Sequence, residues 1–302
     1  MLRMNSRAIY SPEPHRGWLP WGALAPFLAL LFVLVPIIPT VIWFSRLGLF
    51  GREGPEGFEG IALYSLLAFT GTGLLVLGWT HFVEKRPLAT IGLTRPGGAK
   101  TFTRGHLIGC ASIIAVILAT WIAGGYLATA YAPAWQSAGS LLKIVTLLFC
   151  FAIQGSVEEI VFRGWMLSAV ARKFNVAWGV GLSTFIFCLL HFNPGLNWLV
   201  ILNLVLYSLF ACTWALKRNT LWGIMGWHAG WNWLLATGFQ LPVTGIDVKL
   251  PALIAAMVPQ GSDYLTGGGQ GPEGSIACTI LFAGGFIYLL RTAKAGSHLA
   301  NR

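Results

Sequence analysis

The stretch SVEEIVFRGWM, residues 156–166, decides how the rest of the chain is read. It sets Glu158, Glu159 and Arg163 inside a run of apolar residues that is otherwise nearly free of charge. On a helix, Glu159 and Arg163 lie one turn apart on one face and can pair directly. Glu158 lies about 100° further round, and the residue one turn beyond it on its own face is Phe162, so it has no local cation. An ionised group inside a bilayer costs a few kcal/mol or more and is by default a functional position with a partner to be found. The plainer reading is a structural ion pair that locks two helices. On the functional reading, Glu159 is the carboxylate neutralised by Arg163, and Glu158 is left to take and return a proton.

The surroundings favour a membrane. Of 302 residues, 56% are hydrophobic and 10% charged, against about 25% charged in soluble domains. Apolar runs long enough to cross a hydrocarbon core of about 30 Å suggest eight spans: 17–44, 60–82, 105–128, 140–162, 176–192, 197–216, 221–238 and 275–291. The first run is too long for a signal-peptide core and no small-residue cleavage site follows it, so it reads as a retained span. The fold class expected is an all-α integral membrane protein, a bundle of about eight transmembrane helices with a buried polar cavity.

Lys and Arg cluster in alternate loops, which sets orientation. One side holds Arg3, Arg7, Arg16, Lys85, Arg86, Arg95, Lys100, Arg104, Arg172, Lys173, Lys217, Arg218, Arg291, Lys294 and Arg302; the other holds Arg46, Arg52 and Lys249. Both termini are therefore expected in the cytoplasm, and the 239–274 loop, with its Gly-rich tip, outside as a flexible connector. The net charge of +10 is scattered through these loops and forms no stripe for nucleic acid. The five cysteines sit in apolar segments without CxxC spacing and read as small buried hydrophobes.

Histidines supply the second half of a candidate site. His191 and His228 lie in or at the ends of late spans, and Asn232 falls one turn after His228 on the same face. A lone histidine in an apolar helix is usually a satisfied core group. Two of them beside an unpaired glutamate point to a site.

In order along the chain stand EEIVFR (Glu158, Glu159, Arg163), FCLLH (Phe187, His191), FACTW (Phe210, Trp214) and HAGWN (His228, Asn232). These resemble the EExxxR, FxxxH, FxxxW and HxxxN motifs of the CPBP intramembrane protease family, which includes CAAX prenyl endopeptidases of the Rce1 type and bacterial Abi or immunity proteins. The resemblance covers about residues 140–240 and implies hydrolysis of a peptide bond in a membrane-associated protein or peptide. It makes Glu158 the general base, with His191 holding the water, His228 and Asn232 forming the oxyanion hole, and Glu159 and Arg163 the supporting pair. Phe187, Phe210 and Trp214 read as packing. His191, His228 and Glu158 could also offer zinc a His2Glu set; without HExxH, catalysis is read here as metal-independent, with no cofactor, and zinc is kept as the alternative.

The domain division that follows is 1–139 for N-terminal spans and a basic loop, 140–240 for the catalytic core, and 241–302 for an extracytoplasmic loop and last span. The expected location is a membrane, in a bacterial host the inner one. A transporter or proton relay, or a non-catalytic immunity or scaffold protein, are the competing classes; no inverted repeat supports the first. One tension remains. If the fourth span ended at 162, Glu158 and His191 would lie at opposite ends of the bilayer. The fourth helix is therefore expected to continue past Arg163, towards Lys173, with a water-filled cavity open to the cytoplasm.

Overall fold

Eight helical segments of at least fifteen residues carry the described part of the chain. They are α1 (Ala25–Arg46), α2 (Gly57–Val83), α3 (Gly98–Ile122), α4 (Ala138–Lys173), α5 (Val176–Leu190), α6 (Trp198–Arg218), α7 (Trp222–Gly238) and α8 (Ile276–Leu299). Two strands, β1 (Tyr126–Tyr131) and β2 (Ala255–Pro259), pair antiparallel. The computed structural model describes Tyr10 and residues 14–51, 54–94, 96–192 and 196–299, with side chains as far as Thr292. Arg3, Arg7, Arg52, Arg95 and Arg302, all used in the orientation argument, lie outside the described residues, as does the side chain of Lys294.

Helices α1 to α4 and α6 are long and apolar enough to cross a membrane, while α5 and the Ile276–Thr292 part of α8 are apolar but shorter. Leucine, isoleucine and valine side chains of α1, such as Leu31, Val35, Ile38 and Ile42, are half exposed or more. A soluble monomer rarely shows a continuous apolar face of this kind; in a bilayer it is the lipid-facing surface. The protein is an all-α integral membrane protein with one small β-ribbon.

Helix α7 is the centre of the bundle, buried along almost its whole length. Lipid tails are as apolar as leucine, so helices in a bilayer associate through close packing and hydrogen bonds, and small residues allow the backbones to approach. GHLIG at 105–109 of α3 meets GWHAG at 226–230 of α7. A Cβ added to Gly109 would stand 2.1 Å from the Trp227 carbonyl oxygen, and one added to Gly226 would stand 2.0 Å from that of Phe102. On the other side, a Cβ on Gly155 of α4 would meet the Ala229 amide nitrogen at 3.0 Å. Glycines thus clamp the helix that carries His228 and Asn232.

Several expectations are corrected. The first span starts at Ala25 instead of residue 17, because Gly17 and Trp18 donate backbone hydrogen bonds to the carbonyls of Glu84 and Val83. The third ends at Ile122 instead of 128, because Gly124 turns left-handed at φ +79° and the following residues enter β1. The 239–274 segment is a folded cap, not a slack connector. Its glycines serve close approach: a Cβ on Gly271 would stand 2.1 Å from the Pro242 carbonyl oxygen.

A second buried charge pair had no counterpart in the motif reading. Glu84 and Arg86 are both buried, with Arg86 Nε 2.5 Å from Glu84 Oε2. Trp79 and Trp165 donate to Glu84 Oε1 at 3.1 and 2.8 Å, and Arg86 donates to Ser168 Oγ at 3.2 Å. Arg86 is therefore an internal anchor of the far arm of α4, not only a loop charge.

Candidate active site

The depth problem is solved by helix length. Helix α4 runs unbroken for 36 residues, so Glu158 lies fifteen residues before its end at Lys173. Helix α5 is fifteen residues long, and His191 caps it directly. Two antiparallel arms of about 22 Å each, at 1.5 Å per residue, bring Glu158 and His191 to the same level.

The arm begins with a wide π turn, Ile160–Met166, immediately after Glu159. A π turn loosens the α-helical hydrogen-bond register, and such turns often mark functional sites. Two carbonyls of the turn accept from side chains: Ser183 Oγ donates to the Phe162 oxygen at 2.9 Å and Tyr10 OH to the Arg163 oxygen at 2.6 Å. Buried backbone acceptors need such partners.

Glu159 is completely buried and works as a hub. Its Oε1 accepts from Arg163 Nη1 at 3.1 Å and Tyr207 OH at 2.7 Å, and it contacts His228 Nδ1 at 3.0 Å. Arg163 is equally buried, its guanidinium carbon 4.2 Å from the Phe187 ring centre and 5.2 Å from that of Tyr207. The pairing read from helix spacing is present. Tyr207 lies outside the recognised patterns and was missed; its place three residues before Phe210 gave no separate signal.

Glu158 meets a different set of groups. Gln154, one turn earlier, donates from Nε2 to Glu158 Oε1 at 2.6 Å, and its own Oε1 accepts from Asn232 Nδ2 at 2.8 Å. Glu158 Oε2 faces His191 Nε2 at 4.0 Å and His228 Nε2 at 3.9 Å. The structure therefore brings Glu158, His191 and His228 together directly, and Asn232 to them through Gln154. Gln154 was missed although it was legible: it is a polar residue at i−4 from Glu158 in an apolar run.

The aromatic motif positions support this arrangement. Phe187 lies between Arg163 and His191, 4.3 Å from the imidazole centre, and its carbonyl oxygen bonds His191 Nδ1 at 2.8 Å. With Nδ1–H donated to that carbonyl, neutral His191 presents the lone pair of Nε2 to the cleft. Phe210 stacks edge-on against Trp214 and Trp227, forming a wall behind His228.

A cavity of about 420 Å³ opens beside Glu158, His191, Gln154 and Asn232. Its other walls come from the middle of α1, the first turns of α2, the α1–α2 loop at Phe50 and Pro55, and the cap at Val243–Val248. This is the end of the bundle away from the basic turns near 85, 173 and 217. The cavity does not lie beside the basic turns: α5 runs away from them, so its C-terminal His191 meets Glu158 towards the other end. Glu273 of the cap lines an adjoining smaller pocket, with His228 and Trp231. Its carboxylate accepts from Trp231 Nε1 at 2.9 Å and from Thr244 N and Oγ1 at 2.7 and 2.8 Å.

Among the described residues, no three His, Cys, Asp or Glu side chains stand at metal-ligating spacing. What the geometry defines is a carboxylate, an imidazole and two amides lining a cavity inside a helical membrane bundle, with a second imidazole, that of His228, facing the same carboxylate from the adjoining smaller pocket. Residues 139–234, about a third of the chain, match the family model described as Type II CAAX prenyl endopeptidase Rce1-like. The chain thus carries an Rce1-like domain, consistent with the CPBP resemblance, and the match supports a membrane hydrolase of the CAAX-protease type in general. No protein of curated function and no solved structure matches the chain.

Proposed function

We propose that the protein is an intramembrane endopeptidase that hydrolyses a peptide bond with a water molecule activated by Glu158. The observation that carries this reading is the position of Glu158 Oε2, which faces two imidazole Nε2 atoms at 3.9 and 4.0 Å while Oε1 is tethered by Gln154. Those gaps are too long for direct hydrogen bonds. They suit a bridging water: hydrogen bonds of about 2.8 Å meeting at roughly 90–110° separate their ends by about 4.0–4.6 Å.

In this mechanism Glu158 takes a proton from the water as its oxygen attacks the carbonyl carbon, and His191 Nε2 accepts the water's other hydrogen. His228, carrying a proton on Nε2, donates to the developing oxyanion, and its charge is offset by Glu159 at Nδ1. Asn232 has a second amide hydrogen beyond the one given to Gln154 and is the other donor. Such preset donors are worth several kcal/mol of barrier. Glu158 then returns its proton to the leaving nitrogen, the C–N bond breaks, and a carboxylic acid and an amine form, the acid giving its proton to the amine as carboxylate and ammonium leave.

We read catalysis as metal-independent on donor spacing. Tetrahedral zinc with bonds of about 2.0–2.2 Å holds its ligands roughly 3.3–3.6 Å apart, closer than the pairs here. The substrate is a membrane-associated peptide or protein. The chain lies with both termini in the cytoplasm, in a bacterial host in the inner membrane.

The test is cleavage of membrane peptides by the purified chain in proteoliposomes, with Glu158→Gln, His191→Ala and His228→Ala beside the parent, with and without chelator. Loss of cleavage in all three variants and indifference to chelator are expected. Equal activity in all four proteins would defeat the assignment, and activity lost only on chelation would move it to a metal mechanism. Solute uptake abolished by Glu158→Gln without any proteolysis would favour transport.

A further inference from the structure

We infer that substrate reaches Glu158 from the extracytoplasmic face, as an uncharged apolar peptide segment, and not as a cytosolic tail; this rests on the hydrolase reading. The first support is the placement of the cavity. Phe50, Pro55, Val243 and Val248, which line this end of it, belong to the α1–α2 loop and the cap, which lie at the opposite end from Lys85, Lys100, Arg104, Lys173, Lys217 and Arg218. Positive charge collects in cytoplasmic loops, so the rim is extracytoplasmic. The rim end has fewer cations, and two of them are paired: Lys143 with Glu59 at 3.0 Å and Lys249 with Glu56 at 3.4 Å.

The second support is the packing of α4 towards the other side. Every residue from Val157 to Ala171 is buried. Trp165 in the π turn is joined by hydrogen bonds to Glu84, and Glu84 to Arg86 and Arg86 to Ser168 further along the arm. Among the described residues, a chain arriving along α4 from the basic end would have to part these contacts before meeting Glu158.

The third support is the lining. Besides Glu158, His191 and the polar side chains of Ser65, Thr72, Gln154, Asn232 and Thr244, the cavity walls are apolar side chains of α1, α2 and the cap, including Val33, Ile37, Phe69 and Ile246, with no lysine or arginine. No cation there would repay the desolvation of an acidic substrate side chain. The cavity is within the range of ligand pockets, about 300–1,000 Å³, and α1 borders it on the lipid side. An apolar segment can therefore enter at the outer leaflet beside α1.

Two measurements test this on the full-length chain. First, Lys249→Cys at the rim and Lys100→Cys at the basic end are labelled with a membrane-impermeant maleimide in intact cells, in a background whose native cysteines are replaced by alanine. Labelling of position 249 before lysis and of position 100 only after lysis is expected; the reverse pattern overturns the inference whatever the enzyme cleaves. Second, new peptide N-termini are compared by mass spectrometry in membranes of cells making the parent chain or Glu158→Gln. Termini lost in Glu158→Gln should lie at extracytoplasmic ends of membrane segments, flanked by uncharged residues. Termini on the cytoplasmic side, or next to conserved charge in the cleaved segments, overturn the inference. Outward labelling with no Glu158-dependent termini refutes the hydrolase reading and leaves the orientation standing.

Discussion

Gln154 offers the sharpest test of how the site is held. Among the described residues its side chain is the direct hydrogen-bond tether on Glu158 Oε1, at 2.6 Å, and it also accepts from Asn232 Nδ2 at 2.8 Å. Gln154→Leu keeps the volume and removes both bonds. A hydrogen bond to a charged group is worth about 1.5–3 kcal/mol, and about 1.4 kcal/mol is tenfold in rate. If the tether acts in the transition state, kcat/KM should fall by roughly 10- to 100-fold, mostly in kcat, because the group lost orients the base and does not bind substrate apolar side chains. The assay is steady-state cleavage of a membrane peptide in proteoliposomes, with melting temperature measured in parallel. Asn232→Leu and the double variant complete a cycle. Because one amide links the two side chains, the double variant should lose less than the product of the single losses. A Gln154→Leu protein that melts normally and cleaves within about twofold of the parent, while Glu158→Gln is inactive, would refute the positioning argument. Strictly multiplicative losses would refute the link to Asn232.

Four further outcomes follow from the same geometry. Gly109→Leu should prevent stable folding or sharply lower the melting temperature, since even a Cβ meets the Trp227 oxygen at 2.1 Å, whereas Gly181→Ala, with nothing within 4 Å, should melt normally. Glu159→Gln should destabilise by about 3–5 kcal/mol, because it leaves Arg163 buried without its carboxylate, while Glu158→Gln should retain the fold; denaturant titration of both separates structure from catalysis. Arg86→Met should lower stability by leaving Glu84 buried and unpaired, yet change kcat of the folded fraction by less than about threefold, because the pair packs against the far arm of α4, at Trp165 and Ser168, and not against Glu158. Glu273→Gln should loosen the cap and raise the rate of hydrogen exchange at the Thr244 amide, whose partner is Glu273 Oε2.

The parts of the site legible in sequence were those fixed by local periodicity. One helical turn separates Glu159 from Arg163, Phe187 from His191, Phe210 from Trp214 and His228 from Asn232, and each pair is found in contact or on a common face. The length of α4 was legible too, because a site needs Glu158 and His191 at one depth. The end of the bundle at which the cavity lies, relative to the basic turns, was not legible. It depends on which end of α5 bears His191 and on how the cap and α1 fold over it, and neither is encoded by apolar run length. The glycine clamp on α7 was visible as GxxxG in both partners, but two such patterns identify a contact only once the helices are known to be neighbours. Glycines of the cap looked like slack for the same reason: the sequence does not say whether a missing Cβ gives freedom or admits another backbone.

The adjacency of Glu158 and Glu159 gives the site a division of labour that neither residue could provide alone. Successive helical residues differ by about 100° in direction, so one carboxylate turns into the protein, towards Arg163, Tyr207 and His228, and the other towards the cavity. The inward one gains bonds from three side chains and fixes His228 through Nδ1. The outward one has one amide tether and two imidazoles just beyond contact. His228 touches both environments, with Nδ1 on Glu159 and Nε2 facing Glu158. Exchanging the two roles should therefore be impossible by exchanging single residues. Glu158→Asp shortens the reach to a water held by His191 and should lower kcat with the fold intact, whereas Glu159→Asp withdraws the carboxylate from a buried cation and should lower stability first. Measured side by side, equal stability losses in the two variants would refute the claim that the neighbouring acids do different work.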